Sequence, residues 1–356
     1  MDVIEKELVE LTAKLIKYKT ITHNNSEINS CFEFIKNYMK GFYIEEIEKN
    51  GTKILVISDK KKRKYDYILL GHIDVVPAEN KMFVPKITKE KIWGRGSYDM
   101  KSGVAIAMLL MKNLILKNTA LILTSDEEDV NSNKTAYLAN KYKSNCVISM
   151  ESTDEYILNK RKGALWITLE SKGKSCHSSL PWKGKNAGEN VINSYNEIKK
   201  IFPRITEKSS KEVKWQPTCN LGYIKSGNFA YNVSPDFAEM GLDIRFTEKE
   251  DIDKLIDKIK KIANKHKCII RNYIMNHNIY TSPKNKDIIK LAKIGNLKLR
   301  RGYGSSDTCY FNVKGIPVLE FGPKGFGHHT KNEAVYIKSM LKVYKILKKF
   351  FEKNQK

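Results

Sequence analysis

The sequence predicts an α/β protein: an α/β/α domain assembled from both ends of the chain and interrupted by a smaller βαββαβ module. Three observations predict it. In the first half, aliphatic and β-branched runs (KILVIS, YDYILLGHIDVV, TALILTS, NCVISM) alternate with helix-like segments, the pattern of a buried sheet covered on both faces. From Ala164 the rhythm becomes strand, helix, two strands, helix, strand, which is the ferredoxin-like split unit. After Ser282 the chain returns to helix, strand (IPVLEFG) and helix.

Taken in order, MDVIEKELVELTAKLIKY spaces its apolar residues for a helix, and a second helix is expected around Ser30 to Met39. An apolar helix is expected to begin near Val104, behind a glycine-containing turn. Within the module, ALWITLESKG precedes a helix from about Asn186 to Ile201. CNLGYIKSG and FAEMGLDIRF follow as strands, then a helix from about Lys249 to Lys265 and the strand CIIRNYIM. A last amphipathic helix starts at about Ser339. The expected bounds are 1–163 and 282–356 for the larger domain and 164–281 for the insert.

Composition narrows the function. Hydrophobic residues at 41% and charged residues at 29% fit a folded globular protein. The opening lacks the basic-then-apolar layout of a signal peptide, and the longest apolar run, Val104 to Met111, is far below the ~20 residues of a membrane helix. Six cysteines without a CxxC pair suggest neither a disulfide framework nor a thiolate zinc site, so a reducing cytoplasm is expected. A net charge of +24 raises the question of a nucleic-acid partner. The lysines are spread over helical faces such as DIDKLIDKIKKIANKHK and KVYKILKKFFEKNQK, and KKKRK at 60–64 is one short run. That distribution reads as solvated surface, so no membrane partner is expected, and an inactive basic nucleic-acid-binding protein is the remote alternative.

The chemistry lies at predicted strand ends. DYILL leads into Gly71-His72-Ile73-Asp74, which sets His72 and Asp74 on one side of an extended segment. A ligating histidine needs its second ring nitrogen held, and Asp74 is placed to do so. Asp99 stands just before the apolar helix, as an N-cap or as a metal ligand. Asp126-Glu127-Glu128-Asp129 follows the strand ALIL, and Glu151 follows CVISM. Adjacent acids repel one another, and a bound cation would offset that cost while leaving one carboxylate free as a base. His328 and His329 come after a glycine-rich turn. Histidines with several carboxylates form a nitrogen and oxygen set suited to zinc, manganese or cobalt.

The ordered motifs GHIDVVP, GRGSYDMKSG, TSDEE, Glu151, CHSSLPWKGKNA, NVSPD with DIRF, GSSD and FGPKGFGHHTKNE resemble the co-catalytic zinc aminoacylase and carboxypeptidase family over nearly the whole chain. This family includes succinyl-diaminopimelate desuccinylase, acetylornithine deacetylase and related metallopeptidases. The resemblance implies a zinc-peptidase-like catalytic domain with a ferredoxin-like lid and dimerisation domain, and two divalent ions, zinc first, with cobalt or manganese as alternatives. It implies that His72, Asp99 and Glu151 hold one ion, that Asp99, Glu128 and His329 hold the other, and that Asp74 orients His72. Glu127 would be the general base. His177 would cross to the active site of a partner subunit and stabilise an oxyanion. Arg245 and Asn232 would grip a substrate carboxylate, with Gly304, Ser305 and Ser306 lining the pocket. A salt bridge is the alternative for Arg245.

The implied substrate is an acylated amino acid or short peptide, nearest to a succinylated diamino acid. Acetylornithine- and acetyl-lysine-type deacetylases, carrier-linked lysine hydrolases and dipeptidases are the alternatives. Two departures stand out: KMFVPKITKEK replaces a longer loop after His72, and Ser-Thr follows Glu151 in place of Pro-Thr or Pro-Ser.

Overall fold

A computed structural model describes residues 2–49, 51–129, 134–227 and 230–354. The chain divides into two compact units, one of residues 1–160, 279–302 and 306–356, the other of residues 161–278 and 303–305. The short segment 303–305, far from the insert in sequence, joins the smaller unit.

In the larger unit the main sheet runs, from one edge, through Tyr43–Lys49, Thr52–Ser58, Thr119–Thr124, Lys64–His72, Lys143–Ser149, Val318–Glu320, Ile157–Arg161 and Ile279–Tyr280, with Leu299–Gly302 beside Ile157–Arg161. Lys64–His72 pairs in parallel with both Thr119–Thr124 and Lys143–Ser149, and Val318–Glu320 continues that parallel set.

The continuous apolar runs are explained by two cores. Leu55, Ile57, Leu69, Leu121 and Ile148 face the helices Val3–Ile16, Lys101–Leu114 and Ile337–Glu352. Ile54, Val56, Ile68, Ile122 and Val147 face the other side, with Leu138 and Phe311. Alternate residues of these strands therefore enter different cores. Gly103 shows how closely the layers meet, because a Cβ there would lie 2.3 Å from the Met150 carbonyl oxygen. A four-stranded sheet of Lys86–Ile87, Lys91–Trp93, Ala334–Tyr336 and Gly325–Phe326 was not legible in the sequence, its strands being only two or three residues long.

The smaller unit is an antiparallel sheet in the order Thr218–Ser226, Phe237–Phe246, Gly163–Lys172, Cys268–Asn276. Its helices Ala187–Lys199 and Ile252–Lys265 pack their apolar sides on one face, around Leu165, Ile167, Val191, Met240, Ile244 and Ile259. This is the βαββαβ order read from the sequence. Asn186 and Asp251 cap the two helices by accepting backbone N–H bonds. A two-stranded ribbon, Cys176–His177 with Val233–Ser234, is an addition to that plan. Among the described residues, no helix is long and apolar enough to cross a membrane.

Candidate metal and active site

Three neighbouring parallel strands carry the site. Their carboxyl ends lie side by side, with His72 opposite Thr124 and Leu70 opposite Ser149, and ligands bind at such ends in open α/β sheets. His72 closes one strand, Asp126 to Asp129 follow the second, and Glu151 follows the third. Asp99 enters from the turn before the helix Lys101–Leu114. Met100 occupies the cap position of that helix, so the Asp99 carboxylate is turned to the site and is not used as a cap.

The distances define a cluster. His72 Nε2 lies 3.5 Å from Asp99 Oδ1, 3.8 Å from Glu151 Oε1 and 4.0 Å from Glu127 Oε2. His329 Nε2 lies 3.3 Å from Asp99 Oδ2 and 3.2 Å from Glu128 Oε1. His328 also contacts Asp99 and lies against His329, with ring centroids 3.9 Å apart and the rings tilted by 46°. The four consecutive acids thus separate: Glu127 faces His72, Glu128 faces His329, Asp129 reaches His23 at 3.2 Å, and Asp126 is buried beside Asp307.

Does this cluster fit a metal? His72 is buried, and its Nε2 has no hydrogen-bond partner although three carboxylates face it. Its Nδ1 is 3.0 Å from the Asp74 carbonyl oxygen, so the proton belongs on Nδ1 and the Nε2 lone pair points into the cluster. Four ligands around a tetrahedral ion with bonds of about 2.1 Å sit about 3.4 Å apart, close to the separations found. The groups His72, Asp99, Glu151 and Asp99, His328, His329 each bring their ligand atoms within 4.8 Å of one another. The donor set fits a divalent ion.

The electrostatics agree. Burial opposes a charge on His72, yet the Asp74 and Asp99 carboxylates beside its ring and the charges of Glu127 and Glu151 hold it well above the usual imidazole range. Burial also opposes a charge on Asp99, and the neighbouring His328, His329 and His72 rings carry it well below the carboxylate range. Bonds to Asp99 and Glu128 raise His329 to about 10. Glu127 is pushed well up by burial, with His72 offsetting part and Asp307, Glu151 and Glu128 adding to the rise. Without a metal, this excess of negative charge collects protons where a cation would be held.

Asp74 has a wider role than its spacing implied. Its carboxylate accepts from Thr22 Oγ1 at 2.9 Å and from the backbone N–H groups of Glu127 at 3.2 Å and Glu128 at 3.1 Å. Thr22 carried no sequence signal, because no spacing rule links it to a residue 52 positions away. Asp307 was visible as the acid closing GSSD. It accepts from Thr135 Oγ1 at 2.8 Å, and burial beside Asp126 and Asp74 pushes it up to about 7.

The remaining sequence candidates belong mostly to the smaller unit. His177 is exposed on the ribbon, where its Nδ1 accepts from the Ser179 N–H at 3.3 Å and meets Ser179 Oγ at 2.7 Å, leaving Nε2 to carry a proton outward. Asn232 is exposed, and its carbonyl accepts from the Ser178 N–H. Arg245 forks onto Asp243 at 2.7 and 2.8 Å and lies over the Trp166 ring, so its guanidinium already holds a carboxylate. Gly304 and Ser305 fall in this unit. Ser306 falls in the larger one, buried, with its hydroxyl 3.0 Å from that of Thr308.

Residues 68–353 match the sequence profile of Peptidase family M20/M25/M40. The chain belongs to this family. Membership makes it a metal-dependent hydrolase of an amide bond. Among M20/M25/M40 relatives, it is 32% identical to succinyl-diaminopimelate desuccinylase of Pelagibacter ubique, over 80% of this chain and 83% of that one. It is 29% identical to the protein of the same name from Wolbachia pipientis, over 97% and 92%. The fold is shared with an M20 family metallo-carboxypeptidase from Sulfolobus solfataricus, at TM-score 0.78, 18% identity and 99% coverage of both chains. An aminopeptidase from Bacillus cereus has the same fold, at TM-score 0.77, 16% identity and 99% coverage of both.

Proposed function

We propose that the cluster binds two divalent ions, zinc first with cobalt or manganese as alternatives, and that the enzyme removes the succinyl group from an N-succinyl diamino acid such as succinyl-diaminopimelate. One observation carries the two-ion reading: Asp99 is shared between His72 on one side and His329 on the other. His72, Asp99 and Glu151 would hold one ion, and Asp99, Glu128 and His329 the other. When bound, such a pair polarises the amide carbonyl and makes water acidic enough to attack it.

The chain's own groups do the rest. Glu127 takes a proton from the water that adds to the carbonyl carbon and delivers it to the nitrogen as the C–N bond breaks; the new carboxylic acid then gives up its own proton to the freed amine, leaving a carboxylate and an ammonium group. The Glu127 carboxylate, 4.0 Å from His72 Nε2 at the edge of the cluster, suits both halves of that relay. Asp74 holds His72 and the turn that carries Glu127. In a homodimer, the outward Nε2–H of the partner's His177 would meet the oxyanion. Arg245 and Asn232, with Gly304, Ser305 and Ser306, would receive a substrate carboxylate once Arg245 exchanges Asp243 for it. Scattered cysteines support a cytoplasmic setting.

The substrate reading rests on the desuccinylase relatives, which are 25% to 32% identical over most of the chain. Comparing kcat/KM for succinyl-diaminopimelate, acetylornithine, acetyl-lysine and a dipeptide set under one metal condition tests it. Succinyl-diaminopimelate should lead. A preference for an acetylated substrate moves the acyl assignment, and a preference for unacylated dipeptides overturns the deacylase reading.

A further inference from the structure

We propose that Glu333 is a positioning residue for this metal site, holding the loop of Asp99 and the hairpin of His328 and His329 as one body. The inference rests on reading the cluster as a metal site, and it concerns a residue that makes no contact with the cluster's ligand side chains in the bonds described below.

Glu333 is 1% exposed, and both of its carboxylate oxygens are fully engaged. Oε2 accepts from Arg95 Nη1 at 2.6 Å and from the Gly96 N–H at 3.1 Å. Oε1 accepts from the Tyr98 N–H at 2.9 Å and from the Asp99 N–H at 3.1 Å. The Glu333 carbonyl also accepts from the Gly94 N–H at 3.1 Å. One side chain therefore gathers the backbone of the loop that ends at Asp99. Convergent amides of this kind form an anion nest, and here the anion is built into the protein.

Glu333 sits on the hairpin of the two histidines. Ala334 pairs with Trp93 and Phe326 pairs with Ala334, so the residue after Glu333 is clamped from both sides. Gly327, at φ +75°, turns the hairpin, and a Cβ there would stand 2.2 Å from the Asn332 carbonyl oxygen. The His328–His329 segment and Glu333 are thereby fixed to each other, and Glu333 fixes the Asp99 loop 234 positions away in sequence. The histidines and Asp99 meet at one point in the cluster, so a shift of this loop would separate ligands that must share an ion.

The replacement chemistry is restrictive. Glutamine has one acceptor oxygen where two are used, and its NH2 would face two donors. Aspartate keeps the charge but is one methylene shorter. Loss of a group that orients metal ligands costs ~10–100-fold in metal affinity.

The test is zinc binding to metal-stripped protein by competition with a chromophoric chelator, well below the unfolding temperature, for wild type, Glu333→Gln, Glu333→Asp and Arg95→Lys. We expect wild type to bind tightly, Glu333→Gln to be folded by circular dichroism but ~10–100-fold weaker, and Glu333→Asp to be weakened less. Arg95→Lys keeps the three amide bonds and should stay within about threefold of wild type. A folded Glu333→Gln with wild-type zinc affinity overturns the proposal. If Glu333→Gln does not fold, wild-type affinity in Glu333→Asp overturns it. Failure of both to fold with zinc in excess assigns Glu333 to the fold alone and overturns it as well. If wild type itself binds no zinc, cobalt or manganese, the metal-site reading falls, and that outcome is distinct from all of these.

Discussion

The ring of His72 is held by the backbone carbonyl of Asp74, 3.0 Å from Nδ1, more closely than by the Asp74 carboxylate, which is 3.4 Å away. The carboxylate itself is bonded to Thr22 and to the amides of Glu127 and Glu128. Asp74→Asn should therefore leave His72 oriented and the metal bound, while loosening the turn that carries Glu127. The expected result is metal content within about twofold of wild type and kcat lower by about 10–100-fold. Metal analysis and kinetics on one preparation decide it, and loss of metal ahead of kcat would contradict the division of labour.

Glu127 stands at 4.0 Å from His72 Nε2, one-fifth exposed, with burial raising its affinity for a proton. Glu127→Gln keeps the shape and removes the ability to accept a proton from water. Turnover should fall by ~10²–10⁴ while the metal content stays at the wild-type value. A variant that stays within about tenfold of wild type would transfer the base role to another group.

Residues at the ends of long, strongly patterned strands were legible in the sequence, because an apolar run ends where its polar residue must leave the sheet. His72, Glu127, Glu128 and Glu151 are of this kind. Asp99 and His329 were placed by motif resemblance, and no periodicity marks either. Thr22, Arg95 and Asp307 act through bonds to residues 52, 238 and 172 positions away, and a pattern confined to neighbours contains no such pairing. The short strands of the small sheet were lost for a related reason: Lys91–Trp93 and Ala334–Tyr336 form only because each finds the other. Arg245 shows the opposite problem, since its residue type predicted a carboxylate partner and the partner present is Asp243 on its own strand.

A pH prediction comes from Glu45, on the edge strand Tyr43–Lys49 of the main sheet. Burial disfavours a charge on Glu45, but bonds from Arg63, Lys141 and Tyr142, at 2.8, 2.9 and 2.9 Å, bring its carboxyl down to about 2 from 4.5. The folded state thus binds this proton less readily than the unfolded chain. The resulting stability is fully present above pH 4.5 and is lost as pH falls through 2. After allowance for solvent screening the network is worth about 1–2 kcal/mol. Urea unfolding of Glu45→Gln should show that deficit at pH 7 and a shrinking one from pH 4.5 downward. A deficit independent of pH would assign the effect to packing.

The exposed imidazole of His177 provides the test of assembly. Its Nδ1 is occupied by Ser179, so the neutral ring carries its proton on Nε2 and faces outward as a donor. If that donor serves the active site of a second subunit, His177→Ala and Glu127→Ala are defects in different halves of one site. Each variant alone should be nearly inactive. In a mixed dimer, one site combines the intact Glu127 of the first subunit with the intact His177 of the second, and the other site lacks both. Random exchange of equal amounts makes half of the dimers mixed, so recovery should approach roughly a quarter of wild-type activity. Light scattering establishes the dimer, and differently tagged subunits establish exchange. No recovery after proven exchange would place the role of His177 within its own subunit or outside catalysis.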